Sequence, residues 1–290
     1  MAKDTFLNRK ITLNTRGNLI DLSRPAVMAI LNLTPDSFYG GSRITTIDAA
    51  LQRTADFLTA GAKFIDLGAY SSRPGATNIS EQEEITRLIP VVVAIAKEFP
   101  QALLSIDTFR SKVAEAAING GAHLINDISA GSLDEAMFKT VAKLNVPYIM
   151  MHMKGNPQTM QQNPTYENIT SEVINYFAAK IKIAHQYGIK DIIIDPGFGF
   201  AKTIDHNYEL LREMEVLNCF ELPILVGFSR KSMITKVLQN KADDALNGTS
   251  VLNTIALTKG ASILRVHDVK EAVECVTLVN RTIQLTNSNS

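Results

Sequence analysis

Three acceptor side chains each close a short apolar run: Asp107 after Leu103 to Ile106, Asn126 after His123 to Ile125, and Asp195 after Ile192 to Ile194. Carboxylates and an amide carbonyl at such positions suit a planar ligand edge rich in N–H donors, such as a guanidine-like heterocycle. A second group is cationic. Arg73, Lys231, Arg265 and His267 follow other apolar runs, and the planar fork of arginine in particular matches phosphate oxygens. A ligand that joins a donor-rich ring to a phosphate or diphosphate engages both groups, whereas a simple sugar phosphate leaves the acidic set unexplained. Buried carboxylates without partners are costly. Taken singly, several of these residues also have plain structural readings: Asp195-Pro196-Gly197 is a common turn sequence, and Asn32 could cap one.

Other chemistries fit less well. Gly197-x-Gly199-x-x-Lys202 matches neither a Walker loop nor a dinucleotide fingerprint. The five histidines show no paired zinc spacing, and no nucleophile–base pair of the triad kind is visible. His152, between Met151 and Met153, reads as a packed strand-end residue.

The elements that must position these residues alternate in type. Eight short apolar strand candidates, Val27–Leu31, Phe64–Leu67, Leu103–Ile106, His123–Asn126, Tyr148–Met151, Ile192–Asp195, Ile224–Val226 and Ile263–Val266, are separated by longer stretches of helical periodicity. The helical stretches are Ile47–Thr59, Ser80–Glu98, Lys112–Asn119, Asp134–Leu144, Ile169–Tyr187, His206–Leu217, Gly248–Lys259 and Val269–Leu285. This is how a parallel sheet with crossover helices reads in sequence. Eight such units in 290 residues predict a single (β/α)8 TIM barrel, with an open doubly wound sheet as the alternative. An N-terminal extension over residues 1–24 holds a β-hairpin turning at Arg16-Gly17-Asn18, and residues 286–290 form a polar tail. In a barrel the active site lies at the carboxyl ends of the strands, where the polar residues named above fall.

Composition narrows the class. Hydrophobic residues make up 46% and charged ones 20%, enough apolar side chains for a large core. The 29 Lys and Arg balance the 29 Asp and Glu, so there is no global basic field for nucleic acid or membrane surfaces, and any anion site is local. Two distant cysteines, Cys219 and Cys275, form no disulfide framework, and neither a signal-like apolar core nor a membrane-length apolar stretch is found. These features predict a cytoplasmic protein.

Eight ordered motifs together resemble the dihydropteroate synthase family over about residues 25–282. They are Ile30 to Phe38 (ILNLTPDSF), Ser72 to Ala76 (SRPGA), Ile106 to Thr108 (IDT), Ile125 to Asp127 (IND), Met151 to Met153 (MHM), Asp195 to Phe200 (DPGFGF), Gly227 to Ser232 (GFSRKS) and Arg265 to Asp268 (RVHD). The resemblance implies a transferase that condenses 6-hydroxymethyl-7,8-dihydropterin diphosphate with p-aminobenzoate, giving 7,8-dihydropteroate and pyrophosphate. By motif, Asp107, Asn126, Asp195 and Lys231 are similar to the pterin-pocket residues, with Met151 against the ring. Ser72, Arg73, Arg265 and His267 resemble the diphosphate-binding set, and Asn32 the family's magnesium (Mg2+) contact. Loops carrying Asp36 and Phe38, and Phe200 and Lys202, are similar to mobile covers over the p-aminobenzoate site, which Pro74 and Ser232 line. Asp36 joins Asp195, Lys231, Arg265 and His267 in the catalytic set that the resemblance implies, and a homodimer of the sulfonamide-target class is expected with it. One departure is Tyr70, where family members often carry an acid. Two other readings are a methyltetrahydrofolate-dependent methyltransferase, which shares the acidic pterin sector, and a non-catalytic pterin-binding paralogue.

Overall fold

The computed structural model describes residues 12–33, 43–70, 79–155 and 164–287. Asp36, Phe38, Ser72, Arg73 and Pro74 lie outside the described residues. The hairpin is formed by β1 (Thr12–Thr15) and β2 (Asn18–Asp21), paired antiparallel with Thr12 opposite Asp21. Arg16 and Gly17 both take positive φ, 52° and 88°, as a two-residue turn between right-twisted strands requires.

Eight parallel strands follow: β3 (Ala26–Asn32), β4 (Phe64–Gly68), β5 (Leu103–Asp107), β6 (Leu124–Asp127), β7 (Tyr148–Met151), β8 (Ile192–Asp195), β9 (Leu225–Val226) and β10 (Ile263–Val266). Their spatial order is β8-β7-β6-β5-β4-β3-β10-β9. The two ends meet through a parallel bridge of Ile194 with Ile224 and a 3.0 Å bond from Ile194 N–H to the Pro223 carbonyl, which closes the barrel and excludes the open sheet. Around it lie α1 (Arg43–Thr59), α2 (Glu81–Glu98), α3 (Ser111–Asn119), α4 (Met137–Leu144), α5 (Ile169–Gln186), α6 (Ile204–Arg212), α7 (Ser232–Leu238), α8 (Leu246–Thr258) and α9 (Val269–Asn287).

The helices differ from the sequence reading in several places. The stretch His206–Leu217, expected as one helix, breaks at Glu213 into α6 and a 3-10 turn over Met214–Phe220. Met214 and Leu217 are both fully buried, and their three-residue spacing keeps them on one face of a three-residue turn. Asp134, expected inside a helix, precedes α4 and accepts from the backbone N–H of Ser111 at 2.7 Å and of Ala136 at 2.9 Å. Helix α7 was not anticipated; seven residues are too few to show a periodic face.

The base of the barrel is apolar. Leu13, Ile20 and Leu22 from the hairpin region pack against Met28, Phe64, Leu124, Ile149, Ile193, Leu225 and Ile263, one from each of seven barrel strands. Burying each such side chain stabilises by about 1.5–3 kcal/mol. Polar ties hold the hairpin in place: Thr15 Oγ1 donates to the His123 carbonyl at 2.8 Å, and the Arg16 guanidinium to that of Ile118.

Candidate active site

At the mouth, sheet register sets the depth of each functional side chain. Asp107 is level with Asn126, while Asp66 is level with Ser105, two residues earlier along β5 and so one inward-facing layer deeper. Arg265 lies between the two acids. Its Nε donates to Asp66 Oδ2 at 2.6 Å and its Nη2 to Asp107 Oδ2 at 2.7 Å. Asn126 Nδ2 also donates to Asp66 Oδ2, at 3.0 Å. Two carboxylates thus share one guanidinium. Burial pushes the Asp107 carboxyl up to about 7, Arg265 pulling against that shift and the charge of Asp66 adding to it. The Arg265 guanidinium stays cationic: burial opposes its charge, and the attraction of Asp66 and Asp107 outweighs that penalty.

The neighbouring lip is built on β8 and the turn after β9. Asp195 is buried, accepts from the Gly197 N–H at 2.7 Å, and is pushed upward by burial against the opposing charge of Lys231. Lys231 donates to the Phe198 carbonyl, sits 4.8 Å from the Phe200 ring centre, and is lowered to about 8 by burial, with Asp195 opposing. Two glycines make this approach possible. A Cβ on Gly197 (φ +69°) would lie 2.1 Å from the His152 carbonyl oxygen, and one on Gly199 (φ +82°) would lie 2.9 Å from Lys231 Cδ. Across the gap, a Cβ on Gly227 would lie 3.7 Å from Arg265 Cβ and 3.8 Å from Lys231 Nζ, and the charges of Arg265 and Lys231 both act on Asp195.

Lys202, expected on a covering loop, is buried beneath it. Its ammonium donates to the carbonyls of Gly197 (3.0 Å) and Phe200 (3.1 Å) and to Nδ1 of His152 (2.9 Å). Burial lowers it to about 7, and burial beside this cation pushes His152 down to about 2, so the imidazole is the neutral acceptor. Met151 forms an apolar wall with Ile128, Met153 and Ala201, against which Phe109 and Phe200 pack. His267 Nδ1 lies 3.0 Å from Ser229 Oγ, tying the ends of β9 and β10 together. Ser232 is exposed at the first turn of α7, beside Lys231, and Asn32 is half-buried at the end of β3, in register with Gly68. Tyr70 packs edge-on to Phe109 at 5.2 Å, with the Arg110 guanidinium 5.3 Å from its ring centre.

The sequence reading expected acidic and cationic groups in separate sectors. The structure interleaves them, with Arg265 between Asp66 and Asp107 and Lys231 beside Asp195. The reason is the desolvation cost of carboxylates kept without a counter-charge. Asp66 itself was missed, because it lies inside an apolar run, Phe64-Ile65-Asp66-Leu67, and not after one. A lone acid within an otherwise apolar buried strand was the signal that could have found it.

A model for pterin binding enzymes matches residues 28–267. The chain is 43% identical over 270 residues to dihydropteroate synthase of Escherichia coli, covering 92% of this chain and 95% of that one. The chain belongs to the dihydropteroate synthase family. A second relative, dihydropteroate synthase of Haemophilus influenzae, is 43% identical over 252 residues, with 86% and 91% of the two chains covered. Among solved structures, the Yersinia pestis dihydropteroate synthase with a sulfonamide drug complex superposes with a TM-score of 0.88 at 43% identity, covering 94% of this chain and 99% of that one. The Xanthomonas albilineans dihydropteroate synthase with 4-aminobenzoic acid gives 0.87 at 36% identity, with 94% and 98% covered. As a member of this family the chain is a transferase that condenses 6-hydroxymethyl-7,8-dihydropterin diphosphate with p-aminobenzoate.

Proposed function

We propose that the mouth performs this condensation by a dissociative substitution at the pterin methylene. The observation that carries the proposal is the position of Arg265, fixed by Asp66 and Asp107 and, with Lys231, close enough to Asp195 for both charges to act on it. Asp107, Asn126, Asp195 and Lys231 hold the pterin, whose N–H donors meet the acceptors, while Met151 faces the ring with its polarizable sulfur. Ser72, Arg73, Arg265 and His267 hold the diphosphate. An electron-rich pterin spreads positive charge from its methylene as the C–O bond to the diphosphate breaks, and the fixed cations stabilise the departing charge. The amine of p-aminobenzoate then forms the C–N bond and gives up its proton. It is a weak nucleophile, so positioning by Phe38, Pro74, Phe200 and Ser232 matters more than activation.

Magnesium fits the donor set at this mouth. Asn32 offers one hard amide oxygen at the end of β3. That suits an ion held mainly by substrate phosphate and water rather than by a protein cage. When bound there it supplies Lewis-acid charge neutralisation of the diphosphate.

A sulfonamide complex is solved for the Yersinia pestis relative, and we propose that sulfonamides compete with p-aminobenzoate here too. A homodimer is supported by exposed apolar residues on adjoining helices: Val237 and Leu238 of α7, Val251 and Ile255 of α8, and Leu278 of α9. Free Cys219 and Cys275 agree with a cytoplasmic location. The deciding experiment is pyrophosphate release by Asp195→Ala and Arg265→Ala variants with magnesium and both substrates. Both should lose turnover; near-native rates in both would reject the assignment, and methyl transfer in place of pyrophosphate release would favour the methyltransferase reading.

A further inference from the structure

Asp66 lies one layer below the rim of the mouth, yet two functional residues converge on it and a third is linked through one of them. Fully buried in β4, it accepts from Arg265 Nε and from Asn126 Nδ2 through the same oxygen, Oδ2, and Arg265 carries the link on to Asp107. Its other oxygen, Oδ1, is buried without a hydrogen bond to any described residue. For stability alone this is a poor choice, since well-packed apolar residues often replace buried ion pairs without loss, and an unsatisfied buried oxygen adds a penalty.

What the carboxylate supplies is orientation. An amide bonded through its nitrogen to a deeper acid has its carbonyl turned away from that acid, so Asp66 decides whether Asn126 shows an acceptor or a donor to a ring lying above. A guanidinium held at Nε by Asp66 and at Nη2 by Asp107 has its plane fixed before any ligand arrives. We propose that Asp66 is a positioning residue of the transfer reaction, setting through one oxygen both the amide face that Asn126 presents to the heterocycle and the plane in which Arg265 meets the diphosphate. The inference rests on the assignment of Asn126 and Arg265 given above.

The near-isosteric Asp66→Asn variant tests it with two readouts. Binding of 6-hydroxymethylpterin, which carries no phosphate, reads the Asn126 limb; the rate of pyrophosphate release at saturating substrates reads the Arg265 limb. Binding should weaken roughly 10-fold to 100-fold, the range expected for one hydrogen bond to a charged group, and the saturated rate should fall at least about 10-fold. Asn126→Ala alone should weaken the same probe, and adding Asp66→Asn to it should cost no more than about a further twofold, because the shared interaction is already gone.

Native binding in Asp66→Asn, or factors that simply multiply in the double variant, would overturn the inference and leave the site assignment standing. Native binding in Asn126→Ala would overturn both. Should Asp66→Asn fail to fold, the wild-type protein still decides: the Asn126 side-chain N–H pair, assigned by its loss in Asn126→Ala, should exchange slowly with solvent, and fast exchange would reject the bond to Asp66.

Discussion

Two residues of strand separate the base of the barrel from its mouth. Phe64 steps to Asp66, Leu124 to Asn126, Ile193 to Asp195 and Ile263 to Arg265, each pair on the same face of its strand. The lower members join the hairpin in a dry apolar layer, and the upper ones are polar, three of them charged groups that must be paired to be tolerated there. The same backbone thus carries stability at one level and chemistry at the next. Substitutions at the two levels should therefore move different observables, and in one case in opposite directions.

The largest effect belongs to the mouth. Arg265→Ala should lower pyrophosphate release by about 1000-fold or more, the size expected when a charge-stabilising donor is removed, as steady-state kinetics would show. It also strands two buried carboxylates, Asp66 and Asp107, and should cost about 3–5 kcal/mol in a denaturant titration. At the base, Leu13→Ala should cost about 2–5 kcal/mol by the same titration. Its saturated rate should stay within about twofold of the parent, and a large loss of rate would erase the contrast between the levels.

Asp107→Asn sharpens the comparison, because stability and function should part. The folded carboxyl is raised from its ordinary 3.8 to about 7, so the folded state holds a proton that the unfolded chain has lost, and stability falls as pH rises between those values. Above pH 7 the variant should be more stable than the parent by on the order of 1–3 kcal/mol while binding pterin more weakly. Thermal melts from pH 5 to 9, with a pterin titration alongside, check both. A smaller effect concerns Lys202, lowered from 10.5 to about 7. Here the unfolded chain holds the extra proton, so stability should climb between about pH 7 and 10.5, and Lys202→Met should flatten that climb.

Much of this was legible in the sequence. Strand ends could be read because each buried run stops where the chain turns polar, and Asp107, Asn126, Asp195, Lys231 and Arg265 do stand at the mouth. What escaped has physical causes. Asp66 hides within an apolar run, and the rule of looking just past each run passes over it. The pairing of Arg265 with two acids depends on side chains nearly 160 and 200 positions away in the chain, which no local spacing encodes. Lys202 is expected on a covering loop; its burial follows from carbonyls of that loop turning inward toward it. The split of α6 from the 3-10 turn came from a three-residue apolar spacing that is equally at home in an α-helix.

The closure of the barrel has one more consequence. Most neighbouring strands pair over three to five positions, but β8 meets the β9 side through little more than the Ile194–Ile224 bridge. Asp195 and Lys231 stand on opposite edges of that sparse seam. A small molecule gripped by both would act as a stitch across the most sparsely paired join of the cylinder.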